Sequence, residues 1–269
     1  MTARRIELAA ALLLGVPSPA VAQAPARPAP VWQMNWGDYF CTLARLPTDE
    51  TPFAVAFRTV PGSFSVSVNL LPTGRGALPR GTTSIVLMPS GQGYVAGERL
   101  RTLVNRRTVV EIGPLSDSIW GVLENSTELQ LLHNGRVVRR IPLARSQSAV
   151  RSYRQCEANA MSLWGIDGAA LNALSQRPES INSFGLSAAD YPMAAMRAEI
   201  SGRMVVRVTV SAEGHAADCA VVSTSNSDLL DAAACRAILR SARFRVPLDA
   251  EGRPTSARIA TAITWLLPQ

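Results

Sequence analysis

The last third of the chain constrains the fold most, because strand and helix patterns follow one another there in a fixed order. Residues 204–210 alternate as a strand with one buried face does, Glu213-Gly214 marks a turn, and residues 219–222 suit a second strand. An amphipathic helix follows after Asp228, and a further apolar alternation ends near Trp265. Strands joined in this way to a helix predict a small α+β unit over residues 191–269.

The helix after Asp228 has the clearest pattern in the chain. The polar run 223–228 favours a helix start, and the residues that follow place a narrow apolar stripe on one face. Arg240 lies near the predicted end of the helix, where positive charge is favourable. The stripe predicts close packing on a sheet and consists of Leu230, Ala234 (or Ala233), Ala237, Ile238 and Ser241.

Residues 31–166 predict a β-rich domain closed by a helix at its end. Short apolar runs are separated by Gly and Pro clusters, and Asn134-Gly135 between two such runs is a strong hairpin signal. A short helix is expected over 115–125, with Ser116 or Asp117 as its N-cap. Over 144–166 the apolar period becomes helical, and Gly165 suits the stop.

Residues 167–190 contain Gly168, Pro178 and several Ser and Asn, and they separate the two predicted domains. A short helix is expected over 169–175. The composition predicts that the remainder is a linker.

The N-terminus has the pattern of an export signal. Arg4 and Arg5 precede an apolar core at 8–16, and Ala20-Val21-Ala22 suits cleavage, so residues 1–22 are expected to be a signal peptide. About ten apolar residues are too few to span a bilayer, which needs roughly 20, although an uncleaved inner-membrane anchor is the alternative. Residues 23–30 form a Pro/Ala-rich spacer. The pattern predicts a soluble periplasmic protein.

Four cysteines in an exported chain favour disulfides, and four cysteines permit three pairings. The spacing favours Cys219 with Cys235 and Cys41 with Cys156. No C-x-x-C pair occurs and the chain has two histidines, so the sequence predicts no metal site and no cofactor.

Charge and histidine content bear on the class of function. The 27 basic residues are all arginine and are scattered along the chain, which has a net charge of +7. Scattered arginine in an exported protein argues against a nucleic-acid partner. Catalysis by a Ser-His-Asp arrangement would have to use His133 or His215, and no G-x-S-x-G motif occurs. We therefore predict no catalytic residue, no enzyme activity and no small-molecule substrate.

A family resemblance rests on motif residues spread over 188–269, and on their order and spacing. They are Tyr191, Pro192, Gly202, Gly214, Phe244, Pro247, Gly252 and Trp265, with Val221-Val222-Ser223-Thr224-Ser225, Leu230-Asp231-Ala232-Ala233 and Arg243. This set resembles the C-terminal domain of TonB-type energy transducers, in a variant that carries a disulfide.

The resemblance implies helices packed on a three-stranded antiparallel sheet that binds an extended segment of an outer-membrane TonB-dependent receptor. Binding would occur by strand addition, in which an exposed edge supplies backbone N–H and C=O groups. The last strand, 257–267, is then the candidate edge. Its candidate partner-binding residues are Arg258, Ala260, Ala262 and Thr264.

The chain departs from a full transducer, since its N-terminus resembles a cleavable signal and a β-rich domain replaces the long Pro-rich spacer. We therefore expect a periplasmic binding module in the cell envelope, with a receptor, another envelope protein or peptidoglycan as partner. The alternative is an anchored transducer for outer-membrane transport.

Overall fold

The computed structural model describes residues 32–37, 39–48, 52–72, 83–95, 98–102 and 108–267. The predicted signal peptide, 1–22, and spacer, 23–30, lie outside the described residues. The fold is α+β, as predicted: a domain of antiparallel strands precedes a smaller domain with a three-stranded sheet.

The upstream β-domain contains two antiparallel sheets. Their orders are β1-β2-β3-β4-β8-β7 and β10-β9-β5-β6. In chain order the strands are β1 (Trp32–Gly37), β2 (Phe40–Arg45), β3 (Phe53–Thr59), β4 (Ser65–Pro72), β5 (Thr83–Met88), β6 (Gln92–Val95), β7 (Glu98–Thr102), β8 (Thr108–Ser116), β9 (Glu128–His133) and β10 (Arg136–Pro142).

Two helices complete the β-domain and its core. Helix α1 (Ile119–Glu124) contributes the fully buried Trp120, whose ring stacks on Tyr153 of helix α2 (Ser146–Leu163) with centroids 3.6 Å apart. The disulfide between Cys41 and Cys156 joins α2 to β2. Helix α2 is thus fixed to the sheet, and its C-terminal end reaches the smaller domain.

The structure confirms two local predictions in this domain and corrects a third. The hairpin at Asn134-Gly135 joins β9 to β10, with φ of 48° and 75°, as a type I′ turn requires. Gly165 ends α2 with φ of 68°. The N-cap prediction for α1 was wrong, because Ser118 occupies that position and its side chain makes no capping hydrogen bond.

The smaller domain has the predicted three-stranded antiparallel sheet. Its strands are β11 (Gly202–Val210), β12 (Ala216–Ser223) and β13 (Ala257–Trp265), in the order β12-β11-β13. Helix α4 (Met193–Arg197) precedes β11, and helix α5 (Asp228–Ser241) packs on the sheet through a buried stripe. That stripe is Leu230, Ala233, Ala234, Ala237 and Ile238.

The start of α5 is held by a carboxylate inside the helix. Ser227 is the N-cap residue, but its side chain makes no capping hydrogen bond. Asp231 instead accepts hydrogen bonds from the amide of Ser225, at 2.9 Å, and from the hydroxyl groups of Ser225 and Thr224. The polar run thus predicted the helix start correctly. The acceptor, however, is a side chain inside the helix, and the donors are the residues before it.

A second disulfide joins Cys219 on β12 to Cys235 on α5, so both observed pairings are those that the spacing favoured. This bond lies between the helix and an outer strand of the sheet. It fixes α5 at the side of the sheet away from β13.

The segment predicted as a linker, 167–190, lies along the smaller domain. It begins with helix α3 (Gly168–Ala173), which Asp167 caps through the amide of Ala170. Residues 175–182 then run beside 243–249, with backbone bonds such as Arg245 N to Glu179 O at 2.9 Å. In the described structure this segment is therefore part of the smaller domain's surface and not a free spacer.

The core of the smaller domain also contains residues from upstream. Phe40, Val60 and Ile166 are buried together with Val205 and Ala260 of its sheet. One face of the sheet therefore packs on α5, and the other on the β-domain and the end of α2.

Candidate functional site: the outer edge of the last strand

Strand β13 is the edge of the sheet that the resemblance singles out. It pairs with β11 along its whole length, from Ala257 opposite Val210 to Trp265 opposite Gly202. The amide of Ala260 points away from β11, since it donates to the carbonyl oxygen of Gly62 at 3.1 Å. Because backbone groups alternate in direction along a strand, the amides of Ala262 and Thr264 point outward too.

The four candidate partner-binding residues share this alternation. Their side chains lie on the face opposite α5, because they stand across from Arg203, Val205, Arg207 and Thr209 of β11. Arg258 and Thr264 are exposed, Ala262 is half-buried and Ala260 is buried. The structure therefore places the four residues along one continuous edge, with different accessibility at each position.

The first half of this edge is covered by the β-domain and the turn after α2. Arg258 donates through Nη1 to the carbonyl oxygen of Gly165, and Arg207 donates to that of Trp164, each at 3.1 Å. Ala260 is bonded to Gly62, as described above. Two of the four candidate residues, Arg258 and Ala260, are thus already engaged inside the chain.

The second half of the edge is less covered than the first. A cavity of about 190 Å³ lies against Thr261 and Ala262, with Ser63 and Ser67 on its other side. Leu266, directly after β13, is 73% exposed. Within the residues that the structure describes, the outward backbone groups of Ala262 and Thr264 have no backbone partner.

The motif residues that carry the resemblance make contacts that hold the domain together. Tyr191 packs edge-on against Trp265, with ring centroids 5.3 Å apart, and donates from its hydroxyl to the carbonyl oxygen of Ile200. Phe244 donates its amide to the carbonyl oxygen of Gly214 at 2.8 Å. These residues build the fold, and Trp265, although it ends β13, packs on Tyr191.

Two further motif residues have equally structural places. A Cβ at Gly202 would lie 2.7 Å from the carbonyl oxygen of Ser225, so β11 can approach that turn only with glycine. Pro247 is buried, and its carbonyl oxygen accepts from the amide of Thr255 at 3.0 Å. The motif therefore identifies the fold more directly than it identifies a binding surface.

A comparison with protein-family models matches residues 187–267 to the family described as Gram-negative bacterial TonB protein C-terminal. This segment belongs to the TonB C-terminal domain family. The match covers less than a third of the chain and leaves the β-domain outside it. A search of curated proteins and a search of solved structures found no match.

The family consists of periplasmic domains that serve in partner binding and energy transduction, and it is not a family of enzymes. Among the helices of the described ranges, none has the length and apolar character needed to cross a membrane. The match thus indicates a domain of the TonB-like envelope type over residues 187–267.

A polar cleft of about 1020 Å³ separates the β-domain from the segment that leads into the TonB C-terminal domain. Arg177 crosses it to bind Asp117 at 2.5 Å. Burial raises the pKa of Glu157 in this cleft, although the hydroxyl of Tyr153 donates to it at 2.9 Å and Arg154 pairs with it at 3.2 Å. Burial also raises the pKa of Tyr153 well above its usual value.

The two histidines lie in separate domains. His133 ends β9 beside Asn134, whereas His215 precedes β12 in the TonB C-terminal domain, with its amide bonded to the hydroxyl of Ser211. In the described ranges, no three or more His, Cys, Asp and Glu residues form a group suited to a metal ion.

Sequence reasoning did not find the groups that cover the edge. Pro61-Gly62 predicted a turn between two strands, but nothing in the local pattern indicated that this turn would meet β13. The carbonyl groups of Trp164 and Gly165 could not be predicted as acceptors either, because every residue has a backbone carbonyl group whatever its side chain.

Proposed function

We propose that the chain is a periplasmic binding module whose TonB C-terminal domain docks an extended segment of an outer-membrane TonB-dependent receptor. The segment adds as a strand to the outer edge of β13. The observation that supports this is the row of outward backbone groups at Ala262 and Thr264, which lie on an edge strand and have no backbone partner among the described residues.

The chemistry of this edge favours a polypeptide partner. Its donors and acceptors alternate at the spacing of a β-strand, so a second strand matches them residue by residue. Another envelope protein with an extended segment would satisfy the same groups. Peptidoglycan fits less well, because its glycan strands do not present paired amides at that spacing.

Apolar contact adds to the backbone pairing. Leu266 is 73% exposed directly after β13, and a strand laid along the edge would cover part of it. Backbone bonds carry little sequence information, so the alternate side chains of the partner would meet Ala262, Thr264 and Leu266 and provide the selectivity.

Docking requires that the domain reach the periplasm, and we propose export by the signal at residues 1–22. Arg4 and Arg5, the apolar core and the cleavage pattern support this route. N-terminal sequencing of the mature protein should find Gln23 first. A terminus that retains the apolar core would favour the anchored transducer instead.

The test is site-specific photo-crosslinking in living cells, with a crosslinking amino acid in place of Thr264. The control places the same group at Leu239, which is exposed on the outer face of α5, away from β13. We expect crosslinks to an outer-membrane receptor from position 264 and not from 239. Receptor crosslinks from 239 alone would contradict docking on β13.

A further inference from the structure

We propose that the loop 60–64 of the β-domain is an intramolecular gate on the docking edge. It covers the first half of β13, so a partner strand can pair along the whole edge only after the loop withdraws. This inference rests on the proposed function, and it concerns how that same edge is regulated.

The central contact of the gate is a hydrogen bond of the kind that a partner strand would make. The outward amide of Ala260 donates to the carbonyl oxygen of Gly62 at 3.1 Å, in place of a carbonyl group from another strand. Ala260 is only 2% exposed, whereas Thr264 on the same edge is exposed. Access to the edge is therefore closed at Ala260 and increases toward Thr264.

The loop fits this position closely because residue 62 is glycine. Its φ is +80°, a conformation that side chains disfavour, and a Cβ would lie 2.8 Å from Cδ1 of Ile166. The same Cβ would stand 3.5 Å from the amide nitrogen of Ala260. A larger residue at 62 would thus be strained at this φ and would have to displace the side chain of Ile166, which weakens the seat of the loop beside Ala260.

Polar contacts around the loop hold the two domains together at this place. Arg177, from the segment beside the smaller domain, pairs with Asp117 of the β-domain at 2.5 Å. Its guanidinium group also lies 4.7 Å from the ring of Phe64, at the end of the loop. Both charged groups are partly exposed, so solvent can replace this ion pair at modest cost. Val60, at the start of the loop, is buried in the shared core, so we expect residues 61–64 to withdraw while Val60 stays in place.

The remaining half of the edge gives a partner a place to begin. Ala262 and Thr264 offer two outward amides: Ala262 lies against the cavity of about 190 Å³, and Thr264 is exposed. A partner that pairs there first could extend toward Ala260 as the loop leaves. The gate thus lowers the affinity of any segment that needs the full edge, since only the open fraction of the protein binds it.

The first experiment measures amide hydrogen exchange by NMR on the full chain, without any ligand. In the wild type we expect the Ala260 amide to exchange more slowly than that of Ala262. The variant Gly62→Val should remove this difference. The control Gly91→Val introduces a side chain at a similar positive φ, but with nothing within 4 Å, and should leave the difference unchanged.

A milder pair of variants covers the case in which Gly62→Val fails to fold. Arg177→Gln removes the ion pair with Asp117 and should speed the exchange of Ala260. Its control, Arg253→Gln, removes the ion pairs of an exposed arginine at Asp249 and Glu251, far from the loop. Equal exchange of Ala260 and Ala262 in the wild type, or no change in either gate variant, would overturn the gate.

The second experiment measures binding of fluorescent 15-residue peptides that span the periplasm-facing N-terminal segments of the source organism's TonB-dependent receptors. If the closed form outweighs the open form tenfold, Gly62→Val should bind such a peptide roughly tenfold more tightly than the wild type and Gly91→Val do. Equal affinities would overturn the gate and leave docking intact. No binding to any variant would refute receptor docking, and the exchange experiment would then decide whether the loop covers the edge.

Discussion

Gly214 shows how a single residue sets the close approach of two segments in the smaller domain. Its φ is +81°, and a Cβ there would lie 2.4 Å from the carbonyl oxygen of Phe244. The turn of Gly214 and the strand-like stretch at Phe244 are joined by a backbone bond at 2.8 Å. Glycine is needed at 214 both for its conformation and for the missing side chain.

We predict that Gly214→Ala destabilises the protein by about 1–3 kcal/mol more than Gly252→Ala does. Gly252 has a similar φ of +78°, but a Cβ there meets nothing within 4 Å, so the pair separates the clash from the backbone strain. Urea unfolding of both variants gives the difference. Equal losses would mean that the close approach at Phe244 costs nothing.

Glu157 is expected to make stability depend on pH, because burial raises its pKa above the ordinary value of 4.5. Below that value both the folded and unfolded states hold the proton, and the carboxyl group has no effect. As the pH rises, the unfolded state releases its proton first, so the free energy of unfolding falls until the folded-state pKa is passed.

The variant Glu157→Gln should remove this fall, because glutamine stays neutral and can still accept the hydrogen bond from Tyr153. We predict that it is more stable than the wild type near neutral pH and no more stable below pH 4.5, in urea titrations across that range. Glu251→Gln, at an exposed carboxylate, is the control. A variant less stable than the wild type at neutral pH would show that the ion pair with Arg154 outweighs burial.

Local chemistry decided which features the sequence could predict at this scale. The turn at Asn134-Gly135 and the stop at Gly165 follow from backbone preferences of the residues themselves. The cap of α5 by Asp231 could not be found in the same way, since serine, threonine and aspartate in that run all suit such a role.

At the scale of elements, the disulfide between Cys219 and Cys235 links β12 to α5 and closes a loop with a sequence separation of 16. Closing such a loop contributes about 3 kcal/mol to stability in the chain-entropy model. The bond lies on the far side of the sheet from the edge of β13. It should therefore support the fold without taking part in docking.

We predict that replacing both cysteines with alanine lowers the free energy of unfolding by about 3 kcal/mol and leaves receptor-peptide affinity unchanged. The matched variant replaces Cys41 and Cys156. Their disulfide has a sequence separation of 115 and closes a longer loop, so its loss should lower the free energy of unfolding by more. Urea unfolding under oxidising conditions measures both. Free thiols at 219 and 235 in the exported wild type would contradict the pairing.

Element type and order were predictable in the smaller domain because the apolar periods are long and regular. Strand β11, helix α5 and strand β13 all appear within a few residues of their predicted limits. The segment 167–190 was not understood as well, because its contacts are mostly backbone bonds to residues 243–249. Its polar and Pro-containing composition resembles that of a linker wherever it lies.

At the scale of the whole molecule, the β-domain and the smaller domain share a core. Val60 and Ile166 are buried with Val205, which lies on the sheet face opposite α5. Sequence patterns divided the chain at 167–190, because they register local periods and not long-range packing. The position of the β-domain over one face of the sheet therefore required the structure.

This arrangement bears on the role of the β-domain. Its contacts with the smaller domain include arginine side chains from β11 and β13 that donate to carbonyl groups after α2, besides the apolar core. The β-domain thus lies over part of the edge of β13 on which we propose docking. Among the described residues, the outward amides of Ala262 and Thr264 on that edge have no backbone partner, whereas that of Ala260 is bonded to Gly62.

The claim that partners dock on β13 is tested most directly by proline substitutions on the two edges of the sheet. Ala262→Pro removes an amide that points away from β11, so the sheet keeps its internal bonds. Val221→Pro is the matched change on β12. Arg207 directs its backbone groups toward its partner Ala220 on β12, so the amide of the next residue, Val221, points away from β11.

Affinity for a receptor peptide should be measured by fluorescence anisotropy, with circular dichroism to confirm that both variants fold. We predict that Ala262→Pro weakens binding at least about tenfold, as expected for the loss of a backbone bond together with a clash in the partner strand. Val221→Pro should bind as the wild type does. Weaker binding by Val221→Pro, with Ala262→Pro unchanged, would contradict the account and place the docking edge on β12.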